Sequence, residues 1–251
     1  MKQAKGRPLV VAHRGSSGSA PENTMASFRL AVHEGVDMVE LDVRMTKDFH
    51  LVVHHDQDVR RTTNGSGFIW EKTLLELRML DAGSWFSPQF RGEQIPTLRE
   101  VLEAVPSRIG VNIEAKTDGD PRSGIHFEEC IILIILEKNA EDRVLVSSFD
   151  HKFLKRMHGL YPTIKTGALY VPVRDMRKTP SSIAHNIGSS AFGCGITQLR
   201  KRFIDDAHAH DLLVACYTIN TQGQLERAVD YGVDAVITNV PKRMIHELRK
   251  Q

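Results

Sequence analysis

Residues 110–116 read Gly110-Val111-Asn112-Ile113-Glu114-Ala115-Lys116. Apolar and polar side chains alternate through the stretch, which predicts a β-strand with two unlike faces. Val111, Ile113 and Ala115 form a face suited to packing against helices. Asn112, Glu114 and Lys116 share the other face and crowd toward the strand's C-terminal end. Val39-Glu40-Leu41-Asp42 repeats the pattern upstream, with Glu40 and Asp42 two residues apart on one side.

Outward from these two stretches, strands alternate with helices. Strands are expected at Pro8–His13, Asp37–Val43, Gly110–Ala115, Arg143–Ser148, Ile164–Tyr170, Ala191–Gly195, Leu212–Thr218 and Asp234–Thr238. Between them, Asn23 is placed to cap a helix through Glu34, with Gly35 as the stop, and Thr97 one through Val105. Further helices are expected at Gly124–Asn139, from Asp150 to His158, at Ser181–Asn186, at Lys201–His210, at Thr221–Tyr231 before Gly232, and at Lys242–Lys250. The run Ile131–Leu136 has strand-like β-branching, but its length and its place between two strands favour a buried helix. Eight βα units in 251 residues predict a (βα)8 TIM barrel of one domain, residues 1–251. A doubly wound open sheet is the second choice. It usually needs fewer strands, and no Gly-rich dinucleotide turn follows the first strand.

Residues 57–95 interrupt the alternation. After a strand-like extension over Leu51–His55, they are rich in turn formers, including Asn64-Gly65-Ser66-Gly67, which reads as a turn rather than a phosphate loop. Trp70, Leu74, Leu77, Leu80, Trp85 and Phe86 are scattered among them. This predicts a small subdomain inserted after the second strand and partly ordered against the barrel rim, since about 40 residues rarely bury enough apolar surface alone.

A formal net charge of +2 gives no reason to expect nucleic acid or an anionic membrane as partner. Cys130, Cys194 and Cys216 are odd in number and widely spaced, so neither a disulfide framework nor a cysteine zinc site is expected. The apolar run Leu9–Ala12 is too short for a secretory signal and Ile131–Leu136 too short for a membrane anchor, so a cytoplasmic protein is expected. The sequence leaves the oligomeric state open, a homodimer included.

In a TIM barrel the C-terminal strand ends face the active-site mouth. Glu40, Asp42 and Glu114 would meet there, and three nearby anions repel one another unless a cation lies between them. Oxygen ligands suit a hard divalent ion, Mg2+ or Ca2+. The alternative is that the acids make rim salt bridges with Arg44, Lys47 or Lys116. His13 and Arg14 end the first strand, where a guanidinium fork suits phosphate and an imidazole suits proton transfer near neutral pH. His54 and His55 point to opposite faces, so one of them can face the site. Lys116 would sit beside Glu114.

Taken together, these motifs resemble those of the glycerophosphodiester phosphodiesterase family. The resemblance rests on Ala12-His13-Arg14-Gly15, Ala20-Pro21-Glu22-Asn23-Thr24, Glu40-Leu41-Asp42-Val43 through Asp48, and Leu51 to Asp56 running into Arg61-Thr62-Thr63-Asn64-Gly65-Ser66-Gly67. It continues with Ile95-Pro96-Thr97-Leu98, Ile113-Glu114-Ala115-Lys116, Ser147-Ser148-Phe149-Asp150 and Tyr217-Thr218-Ile219-Asn220. Order and spacing match over nearly the whole chain. The resemblance implies Glu40, Asp42 and Glu114 as metal ligands, His13 and His55 as the acid/base pair, and Arg14 and Lys116 as phosphate contacts. It also implies that the insertion covers the mouth and touches the glycerol end of the substrate. Tyr217, on the substrate side, stands where many members carry tryptophan. The implied reaction is metal-dependent hydrolysis of a small-molecule glycerophosphodiester to glycerol 3-phosphate and an alcohol. Two alternatives are a lysophospholipase D-type enzyme, for which Trp70, Trp85 and Phe86 could line an apolar trough, and a non-catalytic phosphodiester-binding barrel.

Overall fold

The computed structural model describes residues 6–120 and 126–250. Strand β1 (Leu9–His13) leads through helix α1 (Met25–Glu34) to β2 (Met38–Met45), and the chain then turns back into the short β3 (Leu51–Val53). Helices α2 (Leu74–Arg78) and α3 (Leu98–Ala104) precede β4 (Gly110–Ala115), α4 (Phe127–Glu137) and β5 (Val144–Ser148). There follow α5 (His151–Leu160), β6 (Lys165–Leu169), α6 (Pro172–Asp175), α7 (Pro180–Ile187) and β7 (Ala191–Gly195). The chain ends with α8 (Lys201–His208), β8 (Leu213–Tyr217), α9 (Gln222–Tyr231), β9 (Ala235–Thr238) and α10 (Pro241–Leu248). No described helix is long and apolar enough to cross a membrane.

Eight parallel strands close into a ring in the order β1-β9-β8-β7-β6-β5-β4-β2, and β1 pairs with β2 to complete it. The fold is the expected (βα)8 barrel. The ninth strand, β3, lies antiparallel on the far end of β2, with Val43 opposite Val53 and Met45 opposite Leu51. Local signals set most helix limits. Thr97 and Thr221 cap α3 and α9 with reciprocal capping boxes, and Gly35 and Gly232 end α1 and α9 in the left-handed conformation. Two expectations need correction. Thr24, not Asn23, caps α1, because the Asn23 side chain is bonded to Asp42 instead. The helix expected over Lys201–His210 stops at His208. Gly124, expected to begin a helix, lies outside the described residues; the helix there is Phe127–Glu137. The short α6 was not anticipated.

Strand alternation divides the interior in two. Val10, Ala12, Val39, Leu41, Val111 and Ile113 point outward and join the main core beneath the helices. Val11, Met38 and Ile237 point inward and pack with Leu9, Ala215, Tyr217 and Ala235. That apolar plug fills the N-terminal half of the barrel incompletely, leaving a cavity of about 60 Å³. Further along β1, β2, β4 and β5, the inward side chains are His13, Glu40, Asp42, Glu114 and Ser147.

Residues 57–95 carry short 3-10 turns, α2 and an apolar cluster of Val59, Ile69, Leu77 and Ala82 that takes in Val52 of β3 and Ile95. Main-chain bonds from Lys47 to Lys72 and from Val53 to Pro96 stitch the segment to the barrel. Because its cluster includes barrel-side residues, Ile69→Ala is expected to lower the stability of the whole chain by about 2–5 kcal/mol in a single unfolding transition. A separate early transition, with the main midpoint unmoved, would show that the segment melts independently.

Candidate active site

The first turn sets the site. Arg14 and Asn23 both adopt left-handed backbone angles, with φ of 57° each, in a region that residues other than glycine rarely visit. Gly15, at φ +78°, could carry no side chain, because a Cβ there would lie 2.4 Å from Ser27 Oγ. This tight turn directs the Arg14 amide at Glu40, where its N–H donates to Oε2 at 2.9 Å.

Register does the rest. His13 lies opposite Glu40, Asp42 opposite Glu114, and Glu114 opposite Ser147. Glu40, Asp42 and Glu114 therefore converge, each offering an oxygen within 4.8 Å of the others. Glu40 and Asp42 are almost wholly buried. Asp42 takes most of the counter-charge. Arg14 Nε stands 3.1 Å from its Oδ2 and Lys116 Nζ 3.1 Å from its Oδ1, and Asn23 Nδ2 donates to Oδ2 at 2.8 Å. Lys116 also pairs closely with Glu114. Of the rim cations considered from sequence, Arg44 turns away to Asp118 and to the His55 carbonyl.

These environments separate the three acids. Burial alone would raise the Asp42 carboxyl, but Lys116, Arg14 and His55 hold it below the usual carboxylate range. Glu40 is pushed up to about 8, first by burial and then by the charge on Asp42. Glu114 is pushed up to about 7 for the same two reasons. Glu40 Oε1 is buried without a hydrogen bond, while Asp42 Oδ1 meets the Lys116 ammonium. Three hard oxygen donors, one of them with an unbonded buried oxygen and the set one cation short of neutrality, fit a hard divalent ion.

The histidines have different partners. His13 Nδ1 lies 2.6 Å from Asn239 Oδ1. An amide oxygen only accepts, so Nδ1 is the donor and the lone pair of the neutral ring sits on Nε2, 4.0 Å from Glu40. His55 Nδ1 lies 2.6 Å from the Asp56 carboxylate. Burial first, against the pull of nearby acids, lowers the pKa of both rings. His54 is buried on the other face, with its nitrogens on the Asp56 carbonyl and on Thr62. Tyr217 meets Phe149 edge-on at 6.3 Å, and Lys116 Nζ lies 5.9 Å from the centre of the Phe149 ring. The Tyr217 hydroxyl is held in its neutral form by burial and then by Glu114.

All eight residues expected from sequence thus come to the barrel mouth or its inner wall. Asn239 was missed. It is the first residue past β9, and since β9 pairs with β1, the strand-end rule applied to every strand would have found it. Asp56 and Glu22 were noted only as parts of motifs and Asn23 also as a helix cap, and they prove to be the partners of His55, Arg14 and Asp42.

The sequence and the fold both have known relatives. Residues 13–243 match the model of the glycerophosphoryl diester phosphodiesterase family. The chain is 39% identical to a glycerophosphodiester phosphodiesterase of Caldanaerobacter subterraneus subsp. tengcongensis, over 97% of this chain and 99% of that one. It is 35% identical to one from Bacillus subtilis, over 97% and 87% respectively. Among solved structures it is similar to an Oleispira antarctica phosphodiesterase in complex with the product sn-glycerol-3-phosphate, with a TM-score of 0.89, 30% identity and 97% coverage of both chains. A glycerophosphodiester phosphodiesterase from Agrobacterium tumefaciens superposes with a TM-score of 0.83 at 27% identity, covering 95% of this chain and 99% of that one.

The raised acids make stability depend on pH when no cation is bound. Glu40 and Glu114, at about 8 and about 7 in the fold against 4.5 unfolded, keep their protons longer when folded. Their contribution is complete below the unfolded value and is lost as pH rises through the folded values. In chelator, thermal midpoints should fall between about pH 5 and about pH 8. Glu40→Gln should flatten that slope, and added divalent ion should restore the wild-type midpoint most at the alkaline end. A Glu40→Gln slope matching wild type would contradict the assignment.

Proposed function

The chain belongs to the glycerophosphoryl diester phosphodiesterase family, and on that premise we propose that it hydrolyses glycerophosphodiesters to glycerol 3-phosphate and an alcohol in a metal-dependent reaction at the mouth described above. The observation that carries this reading is the convergence of three partly uncompensated acids with two histidines whose Nδ1 atoms are anchored differently. The glycerol 3-phosphate held by the Oleispira antarctica relative is consistent with the product.

In this reading Glu40, Asp42 and Glu114 hold Mg2+ or Ca2+. The bound ion would offset charge on the phosphoryl oxygens as a Lewis acid. Arg14 and Lys116, already at the cluster, contact the non-bridging oxygens and orient the phosphorus. His13, with a neutral amide behind it and its lone pair on Nε2, serves as the base that takes a proton from the nucleophile. His55, backed by the Asp56 carboxylate, is the ring better supported as an imidazolium, and it gives a proton to the leaving alkoxide. Tyr217 and Phe149 make an apolar wall beside Lys116, suited to the carbon skeleton of the substrate. The aromatic rings of the insertion meet one another, Phe68 stacked on Trp70 and Phe86 edge-on to Trp85 and Phe90.

The test is release of glycerol 3-phosphate from a panel of glycerophosphodiesters, with lysophosphatidylcholine as the competing substrate. Turnover is expected with the former, to vanish in chelator and to return with Mg2+ or Ca2+. His13→Ala and His55→Ala are each expected to lower turnover at least about 100-fold while circular dichroism stays unchanged. Full activity after exhaustive chelation would remove the metal, and near-normal turnover in either variant would remove that histidine.

A further inference from the structure

Arg61 lies in the insertion, at the end of the 3-10 turn Val59–Arg61. Its guanidinium spans two acids from separate segments. Nε and Nη2 donate to Asp56 Oδ2 and Oδ1 at 2.5 and 3.2 Å, while Nη1 and Nη2 donate to Glu22 Oε2 and Oε1 at 2.9 and 2.7 Å. Neither acid stops there. Asp56 Oδ1 also accepts from His55 Nδ1 at 2.6 Å, and Glu22 Oε1 accepts from Arg14 Nη1 at 2.9 Å. One side chain of the insertion therefore grips the partner of the histidine and the partner of the arginine.

The turn that carries Arg61 is itself pinned. His54 Nε2 meets Thr62 Oγ1 at 3.0 Å, and Thr63 Oγ1 donates to the Val59 carbonyl at 2.8 Å. The planar fork of arginine matches two carboxylates at once, which the single ammonium of lysine cannot do. Without the guanidinium, Asp56 and Glu22 would face each other as like charges and would be free to turn away. The Arg61 side chain is 44% exposed, so these pairs contribute little to stability; what they do constrain is direction.

We infer that Arg61 is a positioning residue for the reaction proposed above, holding Asp56 and Glu22 so that His55 and Arg14 keep their mutual orientation. The inference rests on the roles given there to His55 and Arg14. It explains how a segment inserted outside the barrel repeat takes part in the chemistry without a group of its own on the reacting atoms.

Kinetics of Arg61→Ala, Arg61→Lys, Asp56→Asn and the double variant Asp56→Asn with Arg61→Ala decide it. Arg61→Ala is expected to lower kcat about 10- to 100-fold with little change in thermal midpoint. Added guanidinium ion should restore part of the loss, Arg61→Lys should restore less than the arginine itself, and removing Arg61 should cost much less once Asp56 is already Asn. Unchanged kcat, or equal losses in both backgrounds without rescue, would overturn the inference. If Arg61→Ala does not fold, Arg61→Lys runs through the same cycle. Nitrogen-15 spectra of the His55 imidazole give a readout independent of turnover: the Nδ1–H tautomer should dominate in wild type and lose that dominance in the Arg61 variant. If wild type cleaves no glycerophosphodiester, the functional reading fails, yet the spectra still judge the positioning, and an unchanged His55 tautomer in the variant would refute it.

Discussion

Three carboxylates sit within 4.8 Å of one another inside a protein, and two of them are nearly sealed from water. At an effective dielectric of about 20, each pair of full charges at that range repels by roughly 3 kcal/mol. The surrounding structure answers that repulsion. Arg14 and Lys116 crowd onto Asp42, Asn23 donates to the same carboxylate, and the Arg14 amide is bent into an unusual conformation to reach Glu40. Two cations against three anions leave the set one charge short, and burial together with the charge on Asp42 raises both Glu40 and Glu114 above the usual carboxylate range. A bound cation would relieve that deficit.

The barrel makes such crowding tolerable by separating tasks along each strand. The outward residues of β2 and β4 bind the helices into one core. The inward residues nearest the N-terminal end of β1 and β2 form an apolar plug, and the acids of β2 and β4 converge further along. A one-residue slip in register would send Glu40 and Asp42 into the helix layer, where no counter-charge waits. Closure of the ring matters equally, since it sets Asn239 past β9 beside His13 on β1. The two histidines thus take their orientation from opposite sources, one from barrel closure and the other from the insertion through Asp56.

What could be read in the sequence was local. Gly110–Ala115 and Ala191–Gly195 were expected with the limits observed, because alternation and flanking turns are written within a few residues. Thr97 and Gly232 announced helix ends for the same reason. Non-local competition was hidden. Asn23 and Thr24 are both good caps, and only the distant Asp42 decides that Asn23 serves the site. Asn239 becomes a partner of His13 across 226 positions of sequence. The ties from Arg61 to Glu22 and Asp56 depend on the path of the insertion, whose turn-rich sequence carries no period from which that path could be traced. The acids themselves were legible in place but not in state, because local chemistry left metal site and salt bridge both open, and the observed arrangement contains the salt bridges and still leaves Glu40 Oε1 without a partner.

Anomalous diffraction from crystals soaked in Mn2+ decides whether the acid cluster holds a cation. One strong peak is expected at coordination distance from an oxygen of each of Glu40, Asp42 and Glu114. A crystal in which that position stays empty at millimolar Mn2+, with Lys116 still paired to Glu114 and Asp42, would contradict it.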